Sequence, residues 1–148
     1  MTASYHVPVM LNASLEALNL GGDVEAQDGN WMDATFGGGG HSQAILHRLS
    51  PSGRLFGFDQ DPDAANNALS DGRFTLVAAN FRYAPQFLRA HGGLPLSGLL
   101  ADLGVSSHQF DTAERGFSLR HDGPLDMRMN PAIGEPASEW IASADVPT

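Results

Sequence analysis

Two aspartates, Asp33 and Asp59, bracket a run of four glycines from Gly37 to Gly40. Glycine has no Cβ and reaches positive φ at little cost, so such a run lets backbone approach a ligand closely. A helix that begins at the run aims its unpaired N–H groups and its dipole at any anionic part of that ligand. An acid closing the next strand, as Asp59 would, is placed to accept hydrogen bonds from two ribose hydroxyls. Taken singly, the glycines are a tight strand-to-helix turn and Asp59 is a cap for the segment after it. Together at this interval they point to a cofactor with a nucleoside part.

The details of the loop select among such cofactors. A dinucleotide fingerprint requires G-x-G-x-x-G, but Gly37-x-Gly39 is followed by Ser42 and Gly38-x-Gly40 by Gln43. An NAD-type oxidoreductase domain is thereby the weaker alternative. All 8 basic residues are arginine, so the lysine of a Walker A loop cannot be supplied. What remains, Asp33-x-Thr35-x-Gly37-x-Gly39, resembles the first motif of class I S-adenosylmethionine (SAM) methyltransferases. Acids suit that cofactor's sulfonium and ammonium groups. A second constellation, LLADLGVSSHQ from Leu99 to Gln109, ends another strand in Asp102. At the switch point of an open parallel sheet that carboxylate would face the cofactor, although a loop acid capping nearby N–H groups is the plainer role.

Other patterns carry less. Asp59, Asp61 and Asp63 mimic the start of a calcium loop, but Ala64 replaces its glycine and Ser70 its final glutamate. The six histidines form no metal-binding motif, so no metal site is expected. His41 stands apart because it adjoins the glycines.

The elements that would position these groups alternate between β-rich runs and helical stretches, which implies a parallel sheet with helical crossovers. The reading is an extended lead from His6 into a helix at Asn12–Leu20 with Asn12 as N-cap and Gly21 as stop. A strand follows at Trp31–Thr35, then a helix through Ala44, Ile45, Leu46 and Leu49, and a strand at Arg54–Phe58. Asp61 caps a further helix with Pro62 in its first position. A third strand spans Phe74–Ala78, a helix Phe81–Ala90 ends at Gly92 and Gly93, and a fourth strand spans Gly98–Leu103. From Gly104 onward no period of two is visible, and a long loop leads to a helix near Ser138–Ala142. Residues 1–103 are therefore read as the front of a Rossmann-like domain with strand order 3-2-1-4. Residues 104–148 are read as an active-site loop and the start of a helical insertion. Four strands leave one edge of the sheet open, so a truncated sheet is expected.

Composition sets outer limits. With 148 residues, 42% hydrophobic, one α/β core is supportable and wholesale disorder is not. Absence of cysteine removes disulfides, a thiolate nucleophile and Cys-ligated metal, and suits a reducing compartment. No apolar run approaches the ~20 residues of a membrane helix, and no basic segment precedes the first apolar stretch, so the expected address is the cytoplasm. The net charge of −9 argues against a free-standing nucleic-acid binder.

Four segments taken together, DATFGGGGHS, GFDQDPDA, LLADLGVSS and DTAERGFSLRHDGPLDMRMNP, resemble the successive signatures of the bacterial 16S rRNA cytosine-N4 methyltransferase family. The resemblance runs in order from His6 to about Trp140 and covers the front of the family pattern. It implies a class I SAM-methyltransferase fold, SAM as cofactor and 16S rRNA of the small ribosomal subunit as partner. It also implies that Gly39, Gly40, His41, Asp59, Phe81, Asp102 and Gln109 contact the cofactor. By sequence alone Phe81 is an ordinary core or helix-start aromatic. His108 stands where the family commonly has proline, and Ala13 where it has glutamate.

Transfer to an exocyclic amine needs positioning above all, with acceptors drawing on the amine protons. Asp102 is the one candidate catalytic residue, and no general base is identified. Arg115, Arg120 and Arg128 are the tail's only cations against eight acids from Asp102 onward, and solvated ion pairs are the expected state for them. Basic surface for RNA is then expected from a continuation of the chain or from partner subunits, and a homodimer is compatible with the sequence. A SAM-binding module without catalysis is the remaining alternative.

Overall fold

The computed structural model describes residues 8–22 and 25–145. It divides into two compact units, 1–102 and 103–148. Among the described residues no helix is long and apolar enough to cross a membrane.

The first unit contains helices α1 (Leu11–Ala17), α2 (Gly40–Leu46) and α3 (Ala84–Ala90) and strands β1 (Asn30–Asp33), β2 (Arg54–Asp59), β3 (Phe74–Ala78) and β4 (Leu96–Leu100). The strands are all parallel and lie in the expected order, β3-β2-β1-β4, in a sheet that does not close. Side chains alternate across it, and each face builds its own core. Trp31 and Leu55 point to one side, where they pack with Leu15, Leu20, Ile45, Leu46 and Leu49 of α1, α2 and their flanking turns. Met32, Phe56, Phe58 and Val77 point to the other, where Ala84 and Leu88 of α3 cover them. Fully burying each large apolar side chain contributes about 1.5–3 kcal/mol, which makes the middle of the sheet the rigid part.

Sequence pattern locates the elements well and their ends less well. β3 has the expected limits, whereas β1 stops at Asp33, before the glycine loop. α1 starts one residue early, after Met10 at φ 55°, so Asn12 is inside the helix and is not its N-cap. The segment expected as a helix after Asp61 is a 3₁₀-helix, Pro62–Asn67, with the Asp61 carboxylate accepting the Asp63 N–H at 3.0 Å. The Phe81–Ala90 stretch opens with a 3₁₀ turn, Phe81–Tyr83, before α3. β4 begins two residues earlier than expected and ends at Leu100, which leaves Asp102 just beyond it. Gly98 belongs inside β4 because a Cβ there would lie 2.4 Å from the Trp31 ring. The lead from His6 lies partly outside the described residues.

The second unit contains α4 (Ser107–Asp111), a 3₁₀ turn at Ala113–Arg115 and α5 (Ala137–Ser143). Its centre is built on arginine. Arg115 is buried and donates to the Arg128 and Met129 carbonyls at 3.1 and 2.9 Å. Arg128 grips both oxygens of Asp126 and reaches the Gly134 carbonyl. Contrary to the expectation of a solvated side chain, Arg115 is buried and holds carbonyls together, while Arg128 is ion-paired inside a loop scaffold. Arg120 is exposed.

Candidate functional site

The sheet splits at the carboxyl end of β1. The Ala34 N–H donates to Leu100 of β4 and the Phe36 N–H to Phe58 of β2, each at about 2.8–2.9 Å. A crevice at this position, where neighbouring crossovers leave in opposite directions, is where open α/β sheets hold ligands. The glycine loop sits in it.

Asp33 organises the loop from below. Only 1% exposed, it accepts the Thr35 N–H at 3.0 Å and the Ser42 hydroxyl at 2.7 Å, tying the end of β1 to the first turn of α2. Burial pushes its carboxyl above the ordinary value, partly opposed by the Ser42 and Thr35 hydrogen bonds and by His41. The acid at the head of the loop is therefore buried and held by groups of the protein itself.

Asp59 is the acid that faces outward. One of its oxygens accepts the Gly37 N–H at 2.8 Å and the other the Asp61 N–H at 2.9 Å. These bonds fix the carboxylate beside the loop, and each oxygen keeps a lone pair for another donor. Asn67 completes the support by donating to the Gly37 carbonyl at 3.1 Å.

The four glycines play different parts. Gly37 and Gly39 have φ of +50° and +77°. A Cβ on Gly39 would meet the Phe36 ring at 2.9 Å, and one on Gly40 would meet Pro8 at 2.4 Å, so both are glycine for packing reasons internal to the protein. A Cβ on Gly38 would meet nothing within 4 Å, so the open space above the loop lies there. His41, in the first turn of α2, has a buried Nε2 with no hydrogen-bond partner among the described residues. A buried polar atom of this kind needs a partner, and a bound ligand is one.

Asp102 joins the same end of the sheet. Its backbone N–H donates to Thr35 Oγ1 at 2.8 Å, which couples the chain after β4 to the glycine loop, and its carboxylate is exposed. Phe81 follows β3 and is 42% exposed, capped from behind by Asn80, whose side chain accepts the Arg82 N–H and donates to Gln60 Oε1. It starts a helical segment, as the sequence allows, but is no core residue. Gln109 lies in the second unit, buried, in a capping box where its Oε1 accepts the Ser106 N–H at 3.0 Å and its own N–H donates to Ser106 Oγ at 3.2 Å. His108 is accommodated in the first turn of that helix.

Thr35, Ser42 and Asn67 also support the site, although the sequence does not single them out as functional. Thr35 stands inside the Asp-x-Thr-x-Gly pattern and is legible there. Ser42 and Asn67 give no signal, since only the fold brings them to Asp33 and Gly37.

Residues 3–147 match the model of the MraW methylase family. The chain belongs to that family. It is 52% identical over 141 residues to a protein of Phocaeicola vulgatus named ribosomal RNA small subunit methyltransferase H, covering 95% of this chain and 45% of that protein. Proteins of the same name from Flavobacterium johnsoniae and Porphyromonas gingivalis are 57% and 55% identical, over 87% and 95% of this chain and 41% and 44% of theirs. The chain spans less than half the length of these curated relatives. The strand order and the glycine crevice at its switch point are those of a Rossmann-like SAM-methyltransferase fold.

Proposed function

We propose that this chain supplies the cofactor-binding part of an enzyme that methylates the N4 amino group of a cytidine in 16S rRNA of the small ribosomal subunit, with SAM as donor, in the cytoplasm. The observation that carries it is the Asp59 carboxylate, held by the Gly37 and Asp61 amides beside a loop whose open side is at Gly38. The residues suit the cofactor. Asp59 accepts the two ribose hydroxyls, and backbone of Gly39, Gly40 and His41 lines the loop. His41 Nε2 gains the partner it lacks among the described residues. Phe81, exposed after β3, covers the adenine, and the family resemblance adds Asp102 and Gln109 as further contacts.

Bound SAM supplies an electrophilic methyl group on a sulfonium. The protein's task is then to present the amine in line and to stabilise its protons as the nitrogen gives up its conjugation with the ring. Asp102 is the acceptor at this end of the sheet, fixed through its N–H on Thr35. No group is assigned as general base.

The test is calorimetry with SAM on the full chain as the gene encodes it, with methyl transfer to small subunits lacking the mark. Asp59→Ala is expected to weaken SAM binding at least ten-fold, equivalent to about 1.4 kcal/mol. N4-methylcytidine is expected in the digested rRNA. SAM affinity that ignores Asp59, or binding without transfer to rRNA, would overturn the assignment; the latter result would leave a non-catalytic SAM-binding module.

A further inference from the structure

The acids of this chain are unevenly distributed. The protein carries 17 Asp and Glu, yet residues 73–101 contain none, and hold Arg73, Arg82 and Arg89. The stretch includes β3, the 3₁₀ turn at Phe81–Tyr83, α3 and β4. A chain of net charge −9 thus has one long acid-free segment, and that segment begins at the sheet edge and passes directly beside the crevice.

The fates of the arginines sharpen this. Arg48 donates to the Gly22 carbonyl, Arg54 to the carbonyls after α3, Arg73 to Asp71 and two carbonyls, Arg115 to two carbonyls, and Arg128 to Asp126. The side chains of Arg82 and Arg89 are exposed and make no hydrogen bond or ion pair with the described residues, which in the second unit is true also of Arg120. They stand seven positions apart with exposed Gln86 between them, on the side of the helical segment opposite the buried Ala84 and Leu88. The Arg82 guanidinium lies over the Tyr83 ring, 4.8 Å from its centroid, and that ring is 49% exposed. Arginine with an exposed aromatic is the combination that takes a phosphate and a stacked base in single-stranded nucleic acid.

We infer that the outer face of the 81–90 segment, with Arg82, Arg89 and Tyr83, is a contact strip for single-stranded RNA. It rests on the reading of RNA as substrate. It replaces the sequence-level expectation that all basic surface must come from elsewhere, because local charge decides contact while the distant acids are screened beyond about 10 Å at ordinary salt. The strip starts at Phe81, so an RNA strand lying on it arrives at the cofactor end of the sheet.

The experiment is fluorescence anisotropy of the full chain with a labelled single-stranded RNA oligonucleotide across a salt series, alongside SAM calorimetry and methyl transfer to unmethylated small subunits. Arg82→Gln/Arg89→Gln is expected to lower the slope of log affinity against log salt by about 1.4, at roughly 0.7 per lost phosphate contact on a single strand. Arg82→Lys/Arg89→Lys should restore the slope, and SAM affinity should be unchanged in both. Tyr83→Leu should weaken RNA binding about five-fold or more without changing the slope. A slope unaffected by the glutamine pair, in a protein that still methylates rRNA, overturns the strip and leaves the enzyme reading intact. A slope that falls as expected in a protein that methylates no rRNA supports the strip and overturns that reading. An acidic peptide that competes for Arg82 and Arg89 better than RNA would also overturn the strip.

Discussion

Gly38 and Gly39 are neighbours of the same type, and the structure predicts opposite consequences for replacing them with alanine. At Gly39 the φ of +77° is one that L-residues avoid, and the new Cβ would sit 2.9 Å from a Phe36 carbon. The left-handed conformation costs about 1–2 kcal/mol, and forcing a methyl group against a packed ring about 1–3 more. Gly39→Ala should therefore lose about 2–5 kcal/mol, a fall in Tm on the order of 10 °C for a domain of this size. At Gly38 φ lies outside the left-handed region and the Cβ meets nothing within 4 Å, so Gly38→Ala should change Tm by about 1 °C or less. Its methyl group instead enters the space assigned to the cofactor and should weaken SAM binding about ten-fold, or roughly 1.4 kcal/mol. Calorimetric melting and SAM titration of both variants give the four numbers. If Gly38→Ala destabilised as much as Gly39→Ala while leaving SAM affinity unchanged, the division of labour in the loop would be wrong.

Two further outcomes concern the buried and paired carboxylates. Burial raises the Asp33 carboxyl above its ordinary 3.8, so the folded state binds a proton more readily than the unfolded chain and the group's contribution declines as pH rises through that raised value. Asp33→Asn keeps an acceptor for Thr35 and removes this decline; the Tm difference between the variant and the parent should be most in the variant's favour at pH 7 and shrink toward pH 4. A difference independent of pH would refute the assignment. Asp126 behaves oppositely: the Arg128 side-chain hydrogen bonds lower it to about 2, so its stabilisation is present above its unfolded value near 3.8 and is lost as pH falls toward 2. The stability difference between the parent chain and Arg128→Gln should hold above pH 4 and vanish by about pH 2, as read by acid unfolding followed by circular dichroism.

What the sequence makes legible divides along physical lines. β2 and β3 are legible because short apolar runs bounded by turn residues allow few other structures, and Asp59 because its spacing from the glycines is set by one helix and one strand. β4 begins two residues before its expected start because Pro95 looks like a breaker. Pro95 precedes the first residue of a strand at the sheet edge, where a missing N–H costs little, and Gly98 is demanded by a Trp31 ring from the neighbouring strand. The Ser106-x-x-Gln109 capping box, by contrast, is visible in the sequence as a helix start that the long-loop reading overlooks.

The candidate site shows the same division more sharply. Residue type identifies Asp33 and Asp59 equally, and nothing local separates them. Their difference arises from depth: Ser42, nine positions on, closes over Asp33 and occupies it, whereas Asp59 is propped from behind by amides and left with one side open. Likewise a Cβ on Gly39 or Gly40 would meet Phe36 or Pro8, which no spacing rule connects to them, while one on Gly38 would meet open space. A motif therefore marks where a ligand-binding loop lies, but tertiary packing decides which members of the motif the ligand can reach, and substitutions chosen by motif membership alone would confuse loss of fold with loss of binding.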